Sequence, residues 1–142
     1  LGEDLSIALM NLISLEEHFE FSFMKTSESR YLEMLEQVRE LRKKLLKKIV
    51  KENEGEDWCA SKHLLAASMR LTEVGTKYLH QGKSKEAEEC FLEAFNLYSL
   101  FWRINGIGRE ENAVENKKIE ANPGKLSKLS ALVKKMVDCC KE

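Results

Sequence analysis

The chain has 142 residues, of which 43% are hydrophobic and 33% charged, with 7 glycines and 1 proline. Many aliphatics, many charges and few backbone breakers exclude a disordered chain and a β-sandwich, and point to one helical domain large enough to bury its own core. Lys and Arg total 23 against 24 for Asp and Glu, a net charge of -1, so no global field draws the protein to nucleic acid or anionic lipid.

The opening Leu1-Gly2-Glu3-Asp4 is acidic where a secretory leader would be basic, and no uninterrupted apolar run approaches 18 residues. The four cysteines, Cys59, Cys90, Cys139 and Cys140, fall in no C-x-x-C spacing. Reduced thiols and a cytoplasmic location are therefore expected, without a disulfide framework or a zinc knuckle.

A first helix is expected over about 4–24. Leu5, Leu9, Leu12, Leu15, Phe19 and Phe23 recur at steps of three and four, which stacks them on one face. Ile7, Met10, Ile13, Phe21 and Met24 form a second apolar stripe beside it, so this helix is either central or covered by another subunit. Residues 26–29 form a turn. A second helix is expected over about 30–52, burying Tyr31, Met34, Leu35, Val38, Leu41, Leu45, Ile49 and Val50. Gly55 suits its end and Asp57 the next start. A third helix follows over about 58–80, with Gly82 just past it, and a fourth from Ser84 to about Ile104.

Helices of these lengths joined by short turns imply an all-α, antiparallel four-helix bundle over 1–105. Residues 106–124 are rich in Glu, Asn and Lys and hold the proline, as a flexible polar linker would. Over 125–142 the side chains Leu126, Leu129, Leu132, Val133, Met136, Val137 and Cys140 share one side of a short amphipathic helix. Such a helix is marginal alone in water and needs a surface to dock on. Its polar side carries Lys125, Lys128, Lys134, Lys135 and Lys141, but its apolar side lacks Trp and Phe. A protein surface is therefore expected in preference to a lipid one. Leu126, Leu129, Val133, Met136, Val137 and Cys140 are the candidate partner-binding residues.

Within 68–101, the stretch LTEVGTKYLHQGKSKEAEECFLEA resembles a single tetratricopeptide-repeat unit. Gly75, Tyr78, Gly82, Ala87, Phe91 and Ala94 stand at that unit's small, aromatic and turn positions. Gly75 and Ala87 are then expected to let two helices approach, while Tyr78 and Phe91 fill the space around them. The pattern is not repeated 34 residues earlier, where Leu41 and Lys44 stand, and Ser99 replaces the closing proline. The resemblance therefore implies one hairpin inside a bundle, with no peptide-binding repeat array.

Residues with chemical potential are scattered. Glu16, Glu17, His18 and Glu20 cluster on helix one, but the Glu-x-x-His of diiron bundles occurs nowhere. Cys59 and His63 lie four apart and could share a metal, with His18 as a third donor, yet nothing in the spacing brings more donors into range. Arg70 and His80 are ten apart, unlike the closer Arg and His of the helical HEPN nucleases. No nucleophile elbow, phosphate loop or H-E-x-x-H appears. No catalytic role, cofactor or metal is expected.

Arg39, Arg42, Lys43, Lys44, Lys47, Lys48 and Lys51 form a basic patch on helix two. It is a candidate phosphate-binding strip, read more simply as a solvated face favourable to the helix dipole. Phe95, Tyr98, Phe101 and Trp102 either line a cleft or, as is usual for an aromatic stripe, pack in the core. The expected function is a non-catalytic protein–protein interaction or assembly module whose partner is a second copy or another protein. The alternatives are a nucleic-acid-associated protein and a metal or redox helical protein.

Overall fold

The computed structural model describes residues 1–51 and 55–106. Four helices follow one another: α1 (Gly2–Thr26), α2 (Arg30–Leu46), α3 (Glu56–His80) and α4 (Ser84–Ile104). The described residues contain helices and turns and no strand. None of these helices is long and apolar enough to cross a membrane.

Helix ends follow local chemistry. Ser27 closes α1 in the left-handed region at φ 58°, its N–H donating to the Phe23 carbonyl. Gly82, at φ 74°, turns the chain from α3 into α4. Acidic Glu3 and Asp4, and Glu56 and Asp57, occupy first turns, while Lys25, Lys43, Lys44 and Lys77 occupy last turns, which suits the helix dipole.

The second helix stops at Leu46, short of the expected 52. Lys48 and Ile49 donate to carbonyls three residues back, tightening the chain into a turn. That turn carries Val50 into the core, where it is buried, and brings half-buried Ile49 against the same cluster. Burying two β-branched residues outweighs one more exposed turn of a lysine-rich helix.

The packing is that of a helix bundle, with a definite order of neighbours. α3 lies along α4, α1 along α2, and α1 also meets α3. No Cα of α2 comes within 8 Å of α3 or α4, and the same holds between α1 and α4. Two helix pairs are therefore joined chiefly through α1 and α3, and across α1 and α4 by long side chains. Tyr98 of α4 reaches Ser6 of α1, hydroxyl to hydroxyl at 2.7 Å. The Trp102 ring lies so close to Gly2 that a Cβ there would be 3.3 Å from it.

The core gathers at one end. Leu9 and Met10 come from the first half of α1, Leu46 from the end of α2 and Val50 from the turn after it. Trp58 and Leu65 come from the first half of α3, and Phe101 from the end of α4. The other half of the α3–α4 pair is held by close approach. Gly75 and Ala87 are buried, and the Phe91 ring fills the space where a Gly75 side chain would be. Ser68 donates to the Ala94 carbonyl between the two helices at 2.8 Å.

Candidate interaction surface

The halves of the helices that lead to the two turns leave large apolar side chains in water. On α1, Phe21 is 54% exposed and Met24 72%. They are three residues apart, so they adjoin on the helix surface. Met24 lies seven residues, two turns, beyond Glu17, which places it on the same face. Glu17 uses that face to reach α3, accepting a hydrogen bond from Arg70 at 2.5 Å.

A matching strip runs along α4. Trp102 and Tyr98 point toward α1 and are partly covered by it. Phe95, seven residues before Trp102 and three before Tyr98, continues the strip and is 66% exposed; Leu92, three residues earlier again, is 60% exposed. Tyr98 and Trp102 bridge the space between α1 and α4 only because they are long. At Phe95 that bridging ends. Leu32, Met34 and Leu79 add further exposed apolar groups in these turn-side halves. These exposed apolar groups make this end of the molecule the candidate interaction surface.

The charge around the α4 strip is negative. Glu86, Glu88, Glu89 and Glu93 stand in the first half of α4 with a single basic residue, Lys85. Glu88 is one turn before Leu92 and in line with it.

The basic patch expected on helix two is divided. Arg42 belongs to the interior: it is fully buried and paired with Glu16 through Nε to Oε1 at 2.8 Å. Lys43 pairs with Glu40 at 3.1 Å, and both Lys43 and Arg39 are half-buried. Lys44, Lys47, Lys48 and Lys51 are exposed, the last three beyond the helix end. Leu126, Leu129, Val133, Met136, Val137 and Cys140 lie outside the described residues, as do the linker and helix expected around them.

Two of the three carboxylates of the helix-one cluster are taken up in ion pairs, Glu16 with Arg42 and Glu17 with Arg70. Arg70 also pairs with Glu73 of its own helix. Cys59 is buried, whereas His18 and His63 are exposed. Among the described residues no three side chains of His, Cys, Asp or Glu converge as metal ligands would. There too, every buried side-chain nitrogen or oxygen has a hydrogen-bond partner, so no interior polar group waits for a ligand. A cleft of about 190 Å³ opens at the core end between Ile49, Val50, Lys51, Asp57, Ile104, Asn105 and Gly106.

Comparison with known protein families, curated proteins and solved structures finds no match.

Proposed function

We propose that the chain is a non-catalytic helical interaction module that self-associates through the uncovered end of α1. The observation that carries this reading is the exposure of Phe21 and Met24, 54% and 72%, on a face that Glu17 turns toward α3. Two such residues cover too little area to hold copies together alone. Leu32 and Met34 of α2, also exposed, lie two residues apart on different sides of their helix, so only one of them can enlarge the surface.

Within this reading the four helices run antiparallel. Residues early in one helix meet residues late in the next: Glu16 meets Arg42 and Phe19 meets Tyr31 across α1 and α2. Across α3 and α4, Gly75 meets Phe91, Ser68 meets Ala94 and Ser61 meets Asn105. The close approach at Gly75 and Ala87 also supports a hairpin packed like a single tetratricopeptide-repeat unit. The segment 125–142 is read as a tethered amphipathic helix, on the strength of its apolar stripe.

Molar mass by light scattering, in reductant and across a range of concentrations, tests the assembly reading. The intact chain is expected to be a dimer or larger, and Phe21→Glu/Met24→Glu to be a monomer with unchanged helix content. A monomer at every concentration overturns self-association.

A further inference from the structure

We infer that the Leu92–Phe95 strip on α4 is the docking site of the chain's own segment 125–142, held there in cis. This rests on the reading that the uncovered apolar surface is built for contacts, and it names the occupant of one part of it.

The shapes correspond. Leu92 and Phe95 continue the line of Tyr98 and Trp102, so the site is an apolar stripe along a helix, open where α1 no longer covers it. Leu126, Leu129, Val133, Met136, Val137 and Cys140 recur at helical spacing and make a complementary stripe. Eighteen residues of helix extend about 27 Å, and the part of α4 that α1 leaves open, residues 84–95, about 18 Å, so the strip seats about two thirds of the segment.

The connection permits it. The chain leaves α4 at Gly106, and Phe95 lies only about 17 Å back along the helix. Residues 107–124 reach as far as about 60 Å when extended, more than enough to return to the strip. Tethering supplies the segment at an effective concentration on the order of millimolar, which a free partner seldom reaches.

The charges correspond as well. The segment has five lysines (Lys125, Lys128, Lys134, Lys135 and Lys141) against Asp138 and Glu142. The first half of α4 has four glutamates, Glu86, Glu88, Glu89 and Glu93, against Lys85. Opposite signs flank the two stripes, which selects this occupant over an acidic one.

Amide hydrogen exchange on the full chain, at two concentrations about 100-fold apart, tests the inference. Amides of 126–140 are expected to exchange about tenfold or more slowly than in an unstructured peptide, equally at both concentrations. Leu92→Glu/Phe95→Glu is expected to abolish that protection while leaving the amides of α3 slow. Phe21→Glu/Met24→Glu is expected to leave the protection intact, which separates this site from the self-association surface. Unprotected tail amides in the wild type overturn the inference, as does protection that survives Leu92→Glu/Phe95→Glu. Protection lost on dilution also overturns it, because the occupant is then a second copy, and the assembly reading gains. A protected tail in a chain that is monomeric throughout keeps the inference and ends the assembly reading instead.

Discussion

Arg42 and Glu16 meet inside the contact between α1 and α2 through two parallel hydrogen bonds, Nε to Oε1 at 2.8 Å and Nη2 to Oε2 at 3.3 Å. Arg42 is fully buried, and Glu16 keeps only 17% of its side-chain surface. Its planar guanidinium is suited to this two-point contact, as the single ammonium of lysine is not.

Removing one member of such a pair leaves the other charge in a poor environment. Arg42→Met is expected to destabilise the fold by about 3 kcal/mol, and Glu16→Leu in the same chain to restore most of it. Urea denaturation of the two single variants and the double variant checks this. A cost below about 1 kcal/mol for Arg42→Met would show that the pair contributes little.

Gly75 has no room for a side chain, since a Cβ there would sit 2.5 Å from Cε1 of Phe91. Alanine gains about 1 kcal/mol in helix propensity, but overpacking costs about 1–3 kcal/mol. Gly75→Ala is therefore expected to lower stability, and to become neutral or better in a Phe91→Leu background. Thermal denaturation of the four-member cycle gives the sign, and a stabilising single Gly75→Ala would contradict the close contact.

Ser27 adopts a conformation that costs an L-residue about 1–2 kcal/mol. Glycine removes that cost and gives back part of it as unfolded-state entropy. Ser27→Gly is expected to raise stability by about 0.5 kcal/mol, and Ser27→Val to lower it. Equal melting temperatures for both variants would argue against the left-handed cap.

Ser6 spends its one proton on the Glu3 carbonyl at 2.7 Å, so the Tyr98 hydroxyl is the donor in the bond between them. Tyr98→Phe is expected to cost about 1 kcal/mol. Ser6→Ala should cost a similar amount and the double variant little more. Additive losses in the double-mutant cycle would mean the two groups do not bond.

Periodicity alone located α1, α3 and α4 to within two residues at each end, because their apolar spacing and their Gly, Ser and Asp punctuation are local signals. The closeness of the Phe91 ring to Gly75 is no product of periodicity; both residues were picked out by the resemblance to a tetratricopeptide-repeat unit. Helix two was harder. Its stripe of Met34 and Leu41 suggested burial, yet both are exposed, while Arg42 and Leu46 lie inside. Spacing cannot foresee that an arginine takes an interior place when its carboxylate comes from another helix, 26 residues away in sequence. The early stop of α2 depends likewise on where Val50 finds its core neighbours. The exposed apolar surface was half legible. The surplus apolar stripe of helix one announced Phe21 and Met24, but Phe95 was indistinguishable from Tyr98, Phe101 and Trp102. Only the position of α1 divides them.

The neighbour order of the helices also bears on how the chain comes together. Contacts within α1–α2 and within α3–α4 close short loops, through the turns at 27–29 and 81–83. The Ser6–Tyr98 bond closes a separation of 92 residues. Because closure entropy grows with loop length, each helix pair is expected to form first and the two to meet later. Substitutions at Gly75 or Phe91 should then slow refolding, whereas those at Ser6 or Tyr98 should mainly quicken unfolding. A single hydroxyl bridge across the sequence is thus among the last bonds to form and the first to part.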